Sequence, residues 1–296
     1  MDMLRAMASF VRVVDAGSLS AAGRDLGVSQ SAISQQIAAL EQLLKVRLIR
    51  RTTRQMALTD AGAEYYRKAQ AILEAVQEAG EAAAGHAAAL KGRLRIHAPV
   101  GFGQSYIADV AIAFQKSHPG VIVELILDDR FIDLTADAVD IAIRFGNLAS
   151  SGLVVRRLGR MRRILVASPA YIAENGHPDD ATMLTHHVQV RFNGAPERDA
   201  IPLIGPDGPL EVPVRTVFMA NNAFALTKAL VAGVGLGGAQ LPLVQTELES
   251  GELVRLMPDF EYAPLDVHAV YPSGHFIPQK VSAFVLYLQQ ATKGVW

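Results

Sequence analysis

Four short polar side chains at helical spacing, Gln30, Ser31, Ser34 and Gln35, are the residues whose types and spacing most clearly define a chemistry. Each can donate and accept hydrogen bonds. They share one face of a helix whose other face carries Ile33, Ile37, Leu40 and Leu44. Such a face reads base edges in the major groove of DNA. Just beyond it, Lys45, Arg47, Arg50, Arg51 and Arg54 crowd a stretch without Asp or Glu. Residues 51–58 read as a short two-stranded wing whose arginines reach phosphates or an adjacent minor groove. The DNA-binding set is therefore Gln30, Ser31, Ser34, Gln35, Arg51, Thr52 and Arg54. The plainer alternative is a helical hairpin with an ordinary solvated face.

Other chemistries find less support. The chain has no cysteine, which excludes disulfides, thiolate metal sites and cysteine nucleophiles. His186 and His187 are adjacent, so on a strand they point to opposite sides and do not chelate one metal together. Asp128-Asp129 has the composition of an acid–base pair, but no nucleophile or orienting histidine lies near it, and loop-end aspartates commonly cap helices. Ser168 reads as a helix start. Gly233 to Gly238 imitates a dinucleotide fingerprint, but a helix precedes it where a strand is needed. No metal, cofactor or enzymatic activity is expected.

The elements that position the reading face follow from periodicity. In residues 3–16, Leu4, Met7, Phe10, Val11 and Val14 recur at threes and fours, an amphipathic helix that backs the pair 20–26 and 30–44. Gly27 turns the corner and Ser29 caps the second helix. Up to Leu58 there are eight basic residues against four acids, although the whole chain carries a net charge of −1. A basic module on a near-neutral body suits a nucleic-acid binder. Thr59 opens a long helix in which Tyr65, Ala69, Ile72, Val76, Ala79, Ala83, His86 and Leu90 form a heptad seam of small residues. The seam suits dimerisation; the alternative is one helix packed on its own chain.

After Gly92 the pattern changes. Strands at 93–98, 121–127 and 140–144 alternate with a turn at 99–103 and helices at 105–117 and 132–138, the signature of a parallel α/β sheet. A second α/β unit begins near 163–167, with a helix at 169–174 and a strand at 187–190. Gly205-Pro206-Asp207-Gly208 turns between strands 201–204 and 210–217. A helix at 223–232, a strand at 265–271 and a closing helix at 278–290 complete the chain. Ligands of such sheets bind at strand carboxyl ends, here 99–103, 144–147 and 219–224. The start lacks a signal-peptide layout and no apolar run is long enough for a bilayer, so a cytoplasmic, membrane-free location is expected.

The run Phe10-Val11, Gly17-Ser18, Ala21-Ala22, Leu26, Val28-Ser29-Gln30-Ser31-Ala32, Ser34, Gln36-Ile37, Leu40-Glu41, Leu48, Arg51, Arg54 and Leu58-Thr59-Asp60-Ala61-Gly62 resembles the N-terminal domain of LysR-type transcriptional regulators. The resemblance continues less specifically to the C-terminus. It implies an α/β protein with an N-terminal all-α winged helix-turn-helix domain (1–58), a long linker dimerisation helix (59–90) and a two-lobed, periplasmic-binding-protein-like sensor domain (91–296). Lobe I would hold 91–162 and 267–296, and lobe II 163–266, with the chain crossing near 161–164 and 264–267. It further implies a homodimer or homotetramer on an interrupted palindrome in double-stranded DNA, DNA bending under effector control, and RNA polymerase as an open partner.

The family's effector contacts carry over to Val100, Gly101, Phe102, Arg144, Phe145, Asn221 and Asn222. Two departures matter. Pro99-Val100 stands where many members have Ser or Thr, which removes a hydroxyl donor for a carboxylate; Arg144 either supplies the charge instead or pairs with Asp129 or Asp140. Gln35 replaces a common arginine, which exchanges a guanine contact for an adenine contact or loses it. Two other classes compete with the regulator reading. One is a solute-binding or enzymatic α/β protein whose basic domain serves assembly, and the other is a non-specific architectural DNA binder.

Overall fold

A computed structural model of the chain describes residues 2–51, 56–83, 90–134, 136–146, 153–193, 199–272 and 277–292. They divide into two units, one holding nearly all of the chain up to Gly92 and the other nearly all that follows. In the first, α1 (Met3–Ala16) starts where the Asp2 carboxylate accepts the Arg5 N–H and ends at Gly17. Ser18 caps α2 (Leu19–Leu26), and Gly27 ends it at φ 67°, a left-handed conformation that favours glycine. Ser29 caps α3 (Gln30–Leu44) through the Ala32 N–H. The wing pairs β1 (Ile49–Arg51) antiparallel with β2 (Met56–Leu58), beginning at Ile49 rather than at residue 51. The long helix is α4 (Asp60–Ala83).

Phe10, Val13, Ala22, Ile33, Ile37, Leu40 and Leu48 form the core of this unit. The stripe of α1 differs from the expected one. Leu4 is 41 % exposed, while Ala6, Phe10 and Val13, spaced by four and three, point inward. The first turns of α4 pack on their own unit, with Tyr65 5.7 Å from Phe10 and Ala69 buried. Further along, Ile72 and Val76 are 42 % and 48 % exposed. His86 and the rest of 84–89 lie outside the described residues.

The second unit opens with β3 (Gly92–Ala98), followed by α5 (Val100–Phe102), one wide π-type turn (Gly103–Ile107) and α6 (Ala108–Ser117). The expected turn at 99–103 is thus already helical. The Gly103 N–H bonds the Pro99 carbonyl at 2.7 Å, and the Asp129 carboxylate, remote in sequence, accepts the Val100 N–H. Next come β4 (Val121–Leu127) and β5 (Ile141–Phe145). The expected helix at 132–138 is absent among the described residues; turns replace it, because Ala138 takes φ 50° and the Val139 N–H closes on the Leu134 carbonyl.

β6 (Leu153–Ala167) begins ten residues before the expected 163. Arg156, Arg157, Arg160, Arg162 and Arg163 hide its apolar alternation, and partners on the neighbouring strand hold several of them, Asp266 taking Arg157 at 2.9 Å and Arg160 at 3.3 Å. Then follow α7 (Pro169–Asn175), a 3-10 turn (Ala181–His186), β7 (Val188–Phe192), β8 (Ala200–Gly205), β9 (Gly208–Pro213) and β10 (Arg215–Ala220). The single strand expected over 210–217 breaks at Val214, whose N–H bonds the Asp199 carbonyl, so that β10 joins β7 instead. The chain ends through α8 (Ala223–Val231), β11 (Leu236–Gln240), a 3-10 turn (Leu241–Leu243), α9 (Gln245–Ser250), β12 (Val254–Arg255), β13 (Glu261–Pro272) and α10 (Gln279–Ala291).

The main strand order is β10-β7-β11-β6-β13-β5-β3-β4. Pairs β3–β5, β7–β10 and β7–β11 are parallel, but β6 and β13 run antiparallel to each other. The sheet is therefore mixed, not parallel as periodicity suggested. Two long strands serve both lobes: β6 pairs with β11 and β13 with β5. A strand that leaves one lobe and another that returns must run in opposite directions.

One lobe carries a titratable core group. The Tyr171 hydroxyl accepts the Val188 N–H at 3.1 Å and shares a 3.1 Å hydrogen bond with Nδ1 of buried His187. Burial lowers the His187 pKa below its ordinary 6.5, and His186 and His177 add to the shift. The unfolded chain therefore takes up this proton first as pH falls. The second unit should keep its full stability above pH 6.5 and lose it progressively below. Thermal unfolding between about pH 7.5 and about pH 5, across the ordinary titration of histidine, tests this, and His187→Gln should flatten the dependence.

Candidate nucleic-acid interface and ligand cleft

The α2–α3 corner presents the candidate reading face. Gln30, Ser31 and Gln35 are exposed and Ser34 is half-buried. Gln30 and Ser31 are held from the preceding corner. The Ser20 hydroxyl donates to Gln30 Oε1 at 3.0 Å, leaving the amide donors outward, and Ser31 Oγ shares a 2.9 Å hydrogen bond with Ser29 Oγ. Gln36, on the inner side, is held by Ser9. Arg50 is exposed, and the Arg51 backbone pairs with Met56 in the last pair before residues 52–55. Thr52 and Arg54 lie outside the described residues.

Glu41 is the functional residue that sequence reasoning passed over. It is 8 % exposed, and Oε1 accepts the backbone N–H groups of Leu48 at 2.8 Å and Ile49 at 3.1 Å. The outward oxygen meets Arg47 at 3.2 Å. This one carboxylate anchors β1, which carries Arg50 and Arg51, to the C-terminal turn of the reading helix. The signal was its phase: Ile33, Ile37 and Glu41 are spaced by four, so an acid occupies the buried stripe.

In the second unit, two of the predicted effector-site residues, Val100 and Asn222, meet at Asp129. Its Oδ1 accepts the Val100 N–H at 2.9 Å, and its Oδ2 accepts Asn222 Nδ2 at 2.7 Å from the other lobe. Asn222 Oδ1 in turn caps α8 through the Ala225 N–H at 3.1 Å. Gly101 is buried where a Cβ would lie 3.2 Å from both Ala223 Cβ and Leu243 Cδ1. The Phe102 ring is 5.2 Å from Phe145 and 5.4 Å from Tyr106, whose hydroxyl donates to the Pro242 carbonyl at 3.2 Å. Asn221 is exposed, and Asn147 lies outside the described residues.

Arg144 pairs with neither of the acids considered for it. Asp129 is engaged as described, and Asp140 accepts the Arg95 N–H at 2.7 Å. Instead Arg144, 7 % exposed, donates to the Ile132 carbonyl at 3.2 Å, lies 4.4 Å beneath the Phe131 ring, and has no partner for Nε among the described residues. Burial lowers its pKa. A guanidinium so placed attracts an anion.

The other candidate sites resolve into structure. Asp128 is held at 2.7 Å by Arg130, which pushes its carboxyl down to about 2 and leaves no proton for acid–base work near neutrality. A Cβ at Gly235 or Gly237 would come within 2.7 or 2.3 Å of a β7 carbonyl, so these glycines let β11 pack close. Among the described residues no group of three or more His, Cys, Asp or Glu could hold a metal, and no helix is long and apolar enough to cross a membrane.

A capped helix-turn-helix with a wing, joined in one chain to a two-lobed mixed α/β domain, is the architecture of a class of transcriptional regulators. Residues 4–63 match the family described as bacterial regulatory helix-turn-helix protein, lysR family, and residues 87–293 match the LysR substrate binding domain. The chain belongs to the LysR family of transcriptional regulators. It is 33 % identical over 96 % of its length to the HTH-type transcriptional activator AaeR of Escherichia coli, covering 92 % of that protein. It is 31 % identical over 98 % of its length to an HTH-type transcriptional repressor of Pseudomonas aeruginosa, again covering 92 %. Among solved structures, CrgA from Neisseria meningitidis superimposes with TM-score 0.61 at 28 % identity, with 97 % of each chain covered. The Vibrio cholerae virulence activator AphB gives TM-score 0.60 at 26 % identity, covering 96 % of this chain and 98 % of that one.

Proposed function

We propose that this protein binds an interrupted palindrome in double-stranded DNA as a homo-oligomer, a dimer or a tetramer, and that a small-molecule effector held between its lobes changes that binding. The supporting observation is the face of Gln30, Ser31, Ser34 and Gln35, turned outward beside a basic wing on a domain whose opposite face is core. In this reading residues 1–58 bind DNA, 59–90 pair the protomers through the exposed Ile72–Val76 stripe, and 91–296 sense the effector, with lobe I holding 91–162 and 267–296 and lobe II holding 163–266. Paired reading helices then lie about one DNA turn, or a multiple of it, apart. Val100, Gly101, Phe102, Arg144, Phe145, Asn221 and Asn222 surround the effector, and Arg144 favours one with an acid group. The protein acts in the cytoplasm, without catalysis, and RNA polymerase is the partner that reads out the change.

Selection of bound sites from random duplex DNA by the purified protein tests this at near-physiological salt. The expected product is an interrupted palindrome. Gln35→Ala should relax one base position, by about 1–3 kcal/mol for a lost bidentate contact. Arg54→Ala should weaken all sites alike and reduce the salt slope by about one. Salt-sensitive binding with no consensus would favour the solute-binding alternative.

A further inference from the structure

The cleft already holds a carboxylate, and it belongs to the protein. Asp129 is remote in sequence from both groups it touches, yet each of its oxygens has one donor: the Val100 N–H of lobe I at 2.9 Å and the Asn222 amide of lobe II at 2.7 Å. These are two of the positions from which an effector would be held. Around the bridge the lobes are closed. A Cβ at Gly101 would press on Ala223 and Leu243 at 3.2 Å, and Tyr106 bonds the Pro242 carbonyl across the same seam.

We infer that Asp129 is an internal latch: its carboxylate occupies the place of an effector's acid group and holds the lobes together, so a carboxylate effector acts by displacing it. This rests on the reading of the cleft as the effector site. A carboxylate from solution can take over the same two donors, whereas a neutral ligand of similar size cannot replace both charge-assisted bonds. Exchange of one carboxylate for another leaves hydrogen bonding balanced. The effector must therefore gain its net affinity from contacts Asp129 does not make, of which buried Arg144, whose Nε has no partner among the described residues, offers one. Specificity then lies in the rest of the effector, beyond the acid group.

The test uses the full chain and acetate as the probe. In Asp129→Ala, hydrogen exchange at residues 100–106 and 222–226 should rise at least tenfold over the unsubstituted protein. Acetate, but not chloride at equal ionic strength, should restore protection to this variant and leave the unsubstituted protein unchanged. Asn222→Ser keeps an N-cap oxygen for α8 while removing the amide donor. It should raise exchange at both segments with the fold intact, and Asp129→Ala/Asn222→Ser should not respond to acetate. Circular dichroism checks folding; if Asp129→Ala fails to fold, Asn222→Ser alone decides. Exchange in Asn222→Ser equal to that of the unsubstituted protein, or acetate and chloride acting alike on folded Asp129→Ala, overturns the latch. Selection of DNA sites by the same preparations separates the two readings. A consensus with no latch leaves the regulator standing, while a latch without a consensus removes the regulator and keeps the latch.

Discussion

Replacing Glu41 with alanine should destabilise the first unit by about 2–4 kcal/mol, the cost of leaving two buried backbone N–H groups without an acceptor. The groups are those of Leu48 and Ile49, whose residues are 0 % and 6 % exposed, so water does not replace the carboxylate. For a unit of this size each kcal/mol is worth roughly 4–8 °C of Tm. The first unit should therefore melt well below the second in calorimetry, as a separate transition. Two controls isolate the cause. Glu41→Gln keeps an acceptor oxygen in place and should recover most of the loss. Arg47→Ala removes only a partner whose side chain is 83 % exposed and should cost little, because exposed ion pairs contribute about 0–1 kcal/mol. DNA affinity should fall in Glu41→Ala even at temperatures where α3 persists, since the same bonds fix the wing arginines. A Tm unchanged from the parent would mean that β1 is held by other contacts.

What the sequence disclosed, and what it hid, divides along the range of each interaction. The caps were legible because each acts within three residues: Ser29 on Ala32, Thr59 on Gly62, and Gly27 at its own corner. The polar outer face of α3 was legible because its complement, the Ile33–Ile37–Leu40 stripe, is periodic. Asp129 was not, since its partners lie 29 and 93 residues away and an isolated acid pair reads equally as a cap or a catalytic dyad. Of the two roles open to Arg144, the ion pair with Asp129 or Asp140 does not form; a carbonyl and an aromatic ring hold it, groups that composition does not single out. The first ten residues of β6 were missed for a related reason. Arginines on a strand shared by two lobes are satisfied by acids of the neighbouring strand, so the apolar alternation that marks an ordinary strand never appears. Topology followed the same rule: local alternation suggested a parallel sheet, and only long-range pairing reveals β6 and β13 as antiparallel.

Gly62→Ala sets local propensity against packing, and packing should win. Alanine is the better helix former by about 1 kcal/mol, and at Gly80 of the same helix, where nothing lies within 4 Å, the change to alanine should stabilise. At Gly62 a Cβ would lie 2.0 Å from the Leu48 carbonyl oxygen. That carbonyl cannot retreat. The Thr59 N–H binds it at 3.0 Å, and the Leu48 N–H is fixed at 2.8 Å by Glu41. The start of α4 must move instead, which disrupts the Thr59 cap and the Tyr65 contact with Phe10. Overpacking of this kind costs about 1–3 kcal/mol or more. The functional consequence follows from the length of α4. A displacement at Gly62 is carried along the helix to the exposed Ile72 and Val76. If that stripe joins two protomers, the separation of their reading helices changes with it. Site selection with Gly62→Ala, at a temperature where the variant is folded, should therefore return the same half-site sequence at altered spacing or with loss of paired half-sites. Gly80→Ala should retain the parental spacing. Identical spacing for both, together with an unshifted Tm, would show that α4 is not rigidly seated on Leu48.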